Sequence, residues 1–370
     1  MEHRKKLIIA IVMPSYYEDI FGGSEYQASL LANAAINHGH EVHYIFAATH
    51  EHYNNPLNIK LHPIKRIKIS KRMGSTWFIY YKLIFDILIE IKADVLYVRS
   101  GTSWAAITTS YAKQYGCKSI WHVASSNDIT PKPFLSLIKR PFDLIERKAI
   151  EYTIKNATYV VAHARFQADL LLKHYDRNAI VILKEQPVPI EPIDKSGPFT
   201  ILWVSNIKPL KQPEIFIRLA DCLKTVKDLR FIMIGRPASG KYQDNLMMSI
   251  AQARNLNYLG EQPIEKVNQY FAQSHIFVNT SLFEGLPNTF VQAWMREVPI
   301  VSMLLDPDDI LTKQNIGFFS RTFEQMVQDI QFLINNPATR QKMGERARSY
   351  ALQNHSLDIN MGKLIKLIES

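Results

Sequence analysis

The segment Ser281-Leu-Phe-Glu284-Gly-Leu-Pro-Asn-Thr-Phe-Val-Gln292-Ala-Trp-Met-Arg-Glu-Val-Pro299-Ile-Val301 places an acid in a turn and an amide further along an apolar stretch. Its pattern predicts strand end, turn, helix, turn and strand. Helical side chains lean toward the helix N-terminus, so Glu284 and Gln292 converge on one pocket. That pocket also faces backbone N–H groups without intrahelical acceptors and the positive end of the helix dipole. The combination suits an anion that also carries hydroxyl groups.

Other chemistry-bearing residues fall where strands end. Gly22-Gly23-Ser24 follows an apolar run and opens a helix, a place where bare backbone can approach a ligand, although a plain turn has the same composition. Arg99 ends Tyr97-Val-Arg99-Ser-Gly101, His122 ends Ser119-Ile-Trp121-His122, and Arg165 sits at a strand-to-helix join. Each is a candidate for a ligand cleft, against the alternative of a structural histidine or a paired arginine. Trp203-Val-Ser205-Asn206-Ile-Lys208-Pro-Leu-Lys211-Gln-Pro213 brings Asn206, Lys208 and Lys211 to another helix start, where a cation is unfavourable on dipole grounds alone. Gly235-Arg236-Pro237 and Tyr258-Leu-Gly260-Glu261 end two more strands. The acidic run Asp306-Pro-Asp308-Asp309 suggests a helix cap rather than a metal site.

These residues need a scaffold with many strand ends. Strands are expected at Leu7–Met13, Glu41–Ala47, Asn58–Ile64, Asp94–Arg99, Lys118–Ala124, Tyr159–His163 and Ala179–Lys184, with helices between. Glu185–Pro198 interrupts the alternation with four prolines in fourteen residues, a stiff connector. Alternation resumes at Phe199–Ser205, Leu229–Gly235, Leu256–Gly260, His275–Thr280 and Pro299–Met303, and ends in helices at Phe323–Asn335, Ala338–Asn354 and Leu357–Glu369. The fold class is therefore α/β, with two doubly wound Rossmann-like domains. The expected division is residues 1–188, a Pro-rich linker at 189–198, and 199–354. A chain of 370 residues is comfortable for two such cores. No Gly-x-Gly-x-x-Gly follows a strand, which counts against a dinucleotide-binding dehydrogenase.

Glu284-Gly285-Leu286-Pro287, with Gln292 after seven intervening residues, resembles the donor-site signature of family 4-like glycosyltransferases. In that family the second position is an acid; here it is Gln292. The resemblance implies the GT-B fold, with a C-terminal helix (355–370) crossing back to the first domain. It also implies transfer of a sugar, with retention, from a nucleoside-diphosphate sugar to an acceptor hydroxyl. Glu284, backed by Gly285, Leu286, Pro287 and Asn288, would bind the donor sugar. Gln292 would meet the ribose, and Lys211 the diphosphate. Gly22 and Gly23 would lie near the donor phosphates, and His122 beside the reacting sugar. Asn206 stands where the family has an arginine; it brings no charge, which Lys208, Arg236 or Arg165 would have to supply. Arg236 falls where the base is lodged. The family needs no metal and no cofactor beyond its nucleotide-sugar substrate.

The net charge of +10 is weighted to residues 1–196, which carry 25 Lys+Arg against 18 Asp+Glu. Lys60–Arg72 holds six basic residues and no acid, followed by Trp77-Phe-Ile-Tyr-Tyr81-Lys-Leu-Ile-Phe85. Basic residues beside aromatics suit an anionic membrane surface, against the alternative of a solvated loop beside a core helix. No nucleic-acid motif accompanies them. The acceptor is expected to be a carbohydrate or lipid-linked, as in surface polysaccharide or glycolipid synthesis. Two cysteines, and no apolar run near the ~20 residues of a spanning helix, lead us to expect a cytoplasmic protein, peripheral at the inner face of the membrane. Two other readings compete. One is a catalytically silent homologue that binds partners, which Asn206 and Gln292 favour. The other is a nucleotide-sugar epimerase of the same fold.

Overall fold

The computed structural model describes residues 5–19, 23–55, 58–67, 77–131, 141–236 and 241–370. The chain divides into two units, Met1–Leu183 with Met361–Ser370, and Lys184–Asn360.

The first unit is built on β1 (Ile8–Val12), β2 (Glu41–Ala48), β3 (Lys60–Lys65), β4 (Val95–Val98), β5 (Lys118–His122), β6 (Tyr159–Ala162) and β7 (Ile180–Val181). Their order is β3-β2-β1-β4-β5-β6-β7, all parallel. The central strands read as unbroken apolar runs because both faces are covered; Ile9, Ala10, Ile11 and Val12 are fully buried. Pro63 is tolerated because β3 lies at the edge of the sheet. Ile84 and Leu88 of the helix Trp77–Ile91 pack with Trp104 and Tyr111 of the helix Ser103–Tyr115 and with Ala10 and Val12. The end of the last helix, Leu357–Glu369, belongs to this unit. His40 accepts the Leu7 N–H at Nδ1 (3.4 Å), so Nε2 carries the proton toward Glu369 at 3.2 Å.

The second unit holds β8 (Phe199–Val204), β9 (Leu229–Ile234), β10 (Leu256–Tyr258), β11 (Ile276–Asn279), β12 (Ile300–Ser302) and β13 (Gly317–Phe319). The order is β10-β9-β8-β11-β12-β13, again all parallel. β13 was not anticipated: three residues are too few to show a period.

The Pro-rich stretch is seated on the second unit. Glu191 pairs with Arg296, Lys195 donates to the Ser274 carbonyl, and His275 Nε2 lies 3.2 Å from the Lys195 carbonyl. Burial pushes the Lys195 ammonium down to about 7 and the His275 imidazole down to about 4. Where the chain enters and leaves this unit, Gln186 and Ser356 form a parallel bridge. It is closed by Gln186 N–H to His355 O and Leu357 N–H to Gln186 O, both 2.9 Å. Buried His355 donates from Nδ1 to the Lys184 carbonyl at 2.6 Å, and burial holds its imidazole down at about 4. Among the described residues, no helix is long and apolar enough to cross a membrane.

Candidate functional site

Strand order reverses between β8 and β11 in the second sheet. In open parallel sheets ligands bind beyond the carboxyl ends of the strands at such a switch point. The loops leaving those two strands are tied together there. Leu282 N–H donates to Leu210 O at 2.9 Å. Thr280 Oγ1 donates to Lys211 O at 2.6 Å, while Trp203 Nε1 donates to Thr280 Oγ1 at 2.9 Å.

The side chains follow from that scaffold. Pro209–Lys211 forms a 3-10 turn, and Gln212 closes it with φ +45°, a left-handed conformation uncommon for a non-glycine residue. This turn holds Lys211 at the start of the helix Pro213–Cys222. Its Nζ lies 2.6 Å from Glu284 Oε2, with the two side chains 17% and 21% exposed. The other carboxylate oxygen, Oε1, accepts from Ser281 Oγ at 2.6 Å, and Ser281 N–H donates to Asn279 Oδ1 at 3.2 Å. The dipole penalty of a cation at a helix start is offset by this carboxylate.

Glu284 leads into the helix Asn288–Met295, which starts at Pro287 with no side-chain cap. Its first N–H groups therefore remain available to an anion. Asn288 Oδ1 is buried without a hydrogen-bond partner, an acceptor left for a hydroxyl or water. Gln292 is buried and donates to Asn268 Oδ1 at 3.0 Å. Leu286 is buried, and its carbonyl accepts from Lys184 Nζ.

Asn206 and Lys208 are exposed on the loop after β8. Arg236 is engaged by Glu261: Nε lies 3.0 and 2.9 Å from the two carboxylate oxygens and Nη2 2.8 Å from Oε1, and this pairing raises the guanidinium's pKa. Gly235 permits close packing: a Cβ there would lie 1.7 Å from Ser205 O. Asp306 caps the helix Ile310–Gln314, accepting Leu311 N–H (2.7 Å) and Thr312 N–H (3.2 Å). Among the described residues, no group of three or more His, Cys, Asp or Glu is placed to hold a metal.

In the first unit, Gly22 lies outside the described residues, and Gly23 is exposed at the start of the helix Gly23–Asn37. Arg165 is exposed at the start of the helix Arg165–Tyr175. His122 and Arg99 are both buried and come together beyond β5 and β4. With them stand Tyr97 and His163, which spacing did not single out: Tyr97 Oη is 2.7 Å from His122 Nδ1, His122 Nε2 is 3.1 Å from His163 Nδ1, and Arg99 Nη2 is 2.6 Å from His163 Nε2. Of the missed residues, Ser281 and Thr280 carried a signal, since they follow a strand end three and four residues before Glu284. Lys184 carried none.

Two parallel Rossmann-like sheets in separate units are the architecture of the GT-B fold. Residues 190–350 match the family "Glycosyl transferases group 1" and residues 21–183 match "Glycosyltransferase Family 4". The chain belongs to the family 4-like GT-B glycosyltransferases. An uncharacterized glycosyltransferase of Haemophilus influenzae is 20% identical over 332 residues, 88% of this chain and 91% of that protein. Sucrose-phosphate synthase from Thermosynechococcus elongatus is similar in fold, with TM-score 0.79 at 12% identity over 98% of both chains. The Anabaena protein HepE, solved with UDP-glucose, superposes with TM-score 0.75 at 13% identity, over 98% of this chain and 99% of that one.

Proposed function

We propose that the chain transfers a sugar from a nucleoside-diphosphate donor to an acceptor hydroxyl with retention at the anomeric carbon. The observation that carries this reading is the Lys211–Glu284 pair, 2.6 Å apart beside an uncapped helix start. The donor's diphosphate takes over Lys211 and the helix N–H groups. Its sugar hydroxyls take over Glu284 and Asn288, and its ribose meets Gln292. As the bond from the anomeric carbon to the diphosphate breaks, the electron pair leaves with the phosphate oxygen. Lys211 and the helix dipoles stabilise that charge, usually the largest catalytic contribution. The acceptor oxygen attacks the same face, and its proton passes to the departing phosphate. In this reading His122 serves the reacting sugar, Gly22 and Gly23 serve the phosphates, and Arg165, Lys208 and Arg236 are further cationic contributors. No metal enters the scheme. HepE is solved with UDP-glucose, which makes UDP-glucose the first donor to test.

The acceptor is a saccharide or lipid-linked saccharide at the inner face of an anionic membrane. Supporting this, Lys65 and Arg66 are exposed at the end of the edge strand β3, near Ile67 at 38% exposure, and the helix Trp77–Ile91 exposes Leu83 (41%) and Ile89 (42%). Incubation with UDP-glucose and lipid extracts, followed by NMR of the product's anomeric coupling, tests the reaction. An α-linked product supports it, and a β-linked product contradicts retention. Co-flotation with anionic but not neutral vesicles, lost in Lys65→Glu/Arg66→Glu, tests the surface.

A further inference from the structure

The buried group at the carboxyl ends of β4, β5 and β6 contains two imidazoles in series between a tyrosine and an arginine. Arg99, His122, His163 and Tyr97 are each at most 2% exposed. A guanidinium has only N–H donors and keeps its proton. The 2.6 Å contact from Arg99 Nη2 therefore makes His163 Nε2 an acceptor, and neutral His163 then carries its proton on Nδ1. That N–H points at His122 Nε2, 3.1 Å away, so His122 Nε2 must accept. Neutral His122 is left with its proton on Nδ1, donating to Tyr97 Oη at 2.7 Å. The 3.5 Å approach of Arg99 Nη1 to His122 Nδ1 then sets two donors against each other and is no hydrogen bond. The imidazole planes are 30° apart with centroids at 4.2 Å.

We infer that Arg99 and His163 are positioning residues that fix His122 as its Nδ1–H tautomer, with Nε2 unprotonated. The guanidinium at the end of the series orders the protons of the two rings. Free histidine favours the opposite, Nε2–H form, so the assignment departs from what the ring adopts without such a partner. The consequence for transfer is that His122 is a hydrogen-bond donor through Nδ1 alone and offers no proton from Nε2. That His122 stands beside the reacting sugar rests on the function proposed above; the tautomer assignment does not.

Nitrogen-15 ring spectra of the full chain at neutral pH read the tautomer directly, with His122 and His163 assigned by the signals lost in His122→Phe and His163→Leu. The expected result is both rings as Nδ1–H, and His122 turning to Nε2–H in Arg99→Gln or, should that variant fail to fold, in His163→Leu. A wild-type His122 seen as Nε2–H or doubly protonated overturns the inference, as does a His122 tautomer indifferent to loss of Arg99 and of His163. With an active donor–acceptor pair, Arg99→Gln should lower kcat at least about tenfold while donor KM stays within about twofold. Tautomers as expected with kcat unchanged would leave the series intact and remove His122 from the reaction.

Discussion

The Lys211 ammonium lies 2.6 Å from Glu284 Oε2, joining the loops that leave β8 and β11 on either side of the switch point of the second sheet. The two residues are 73 positions apart in sequence, and each neutralises the other until a ligand arrives. A donor with a diphosphate at one end and sugar hydroxyls at the other can replace both halves of the contact at once.

In the proposed function the two halves serve different parts of the donor, and their substitutions should separate kinetically. Lys211→Ala removes charge stabilisation that grows as the diphosphate leaves, so kcat should fall about 100- to 1000-fold. Glu284→Gln keeps the shape but weakens hydroxyl binding, and donor KM should rise roughly tenfold. Steady-state kinetics on the two variants check this; equal effects on kcat and KM in both would contradict it.

Gly235 should be intolerant of any side chain. A Cβ would fall 1.7 Å from Ser205 O, which is backbone and cannot yield. Gly235→Ala should lose about 3 kcal/mol in urea unfolding. Gly260 has φ +68° but open space around its Cβ position, so Gly260→Ala should lose only about 1 kcal/mol.

Gln292 donates to Asn268 Oδ1 at 3.0 Å and leaves one amide oxygen to accept a ribose hydroxyl. A carboxylate accepts both hydroxyls of a ribose. Gln292→Glu, with the Asn268 amide turned to donate, should tighten donor binding about fivefold by calorimetry. Weaker binding would show that Gln292 faces something other than ribose.

The fold should loosen in mild acid. His355 and His275 are held at about 4, below the ordinary 6.5, chiefly by burial. The unfolded chain then binds more protons than the folded one, so this stability is complete above pH 6.5 and is lost as pH falls toward 4. Each group contributes roughly 3 kcal/mol across that window. His355→Asn keeps a donor for the Lys184 carbonyl without a titrating ring, and unfolding midpoints from pH 7 to pH 4 should show a shallower decline than wild type.

Much of this was legible in the chain. Apolar runs marked the central strands, because a strand covered on both faces needs no alternation to be seen. Glu284 and Lys211 could be picked out because each sits just past a strand, where doubly wound sheets place ligands. What spacing could not supply was pairing across distance. His163 reads as the end of a strand, and its partner Arg99 lies 64 residues away. Lys184 reads as the end of a strand, and the carbonyl it holds lies 102 residues on. Arg236 falls at a strand end, and spacing alone does not show its pairing with Glu261, 25 residues on.

The most direct test of the central claim is saturation-transfer NMR on the purified protein with UDP-, GDP-, ADP- and dTDP-sugars, repeated with Glu284→Ala. Selective saturation of one nucleotide sugar is expected, at both its base and its sugar protons, with the sugar signals weakened in the variant. Folded protein that saturates none of these donors, or binds one identically with and without Glu284, would contradict it.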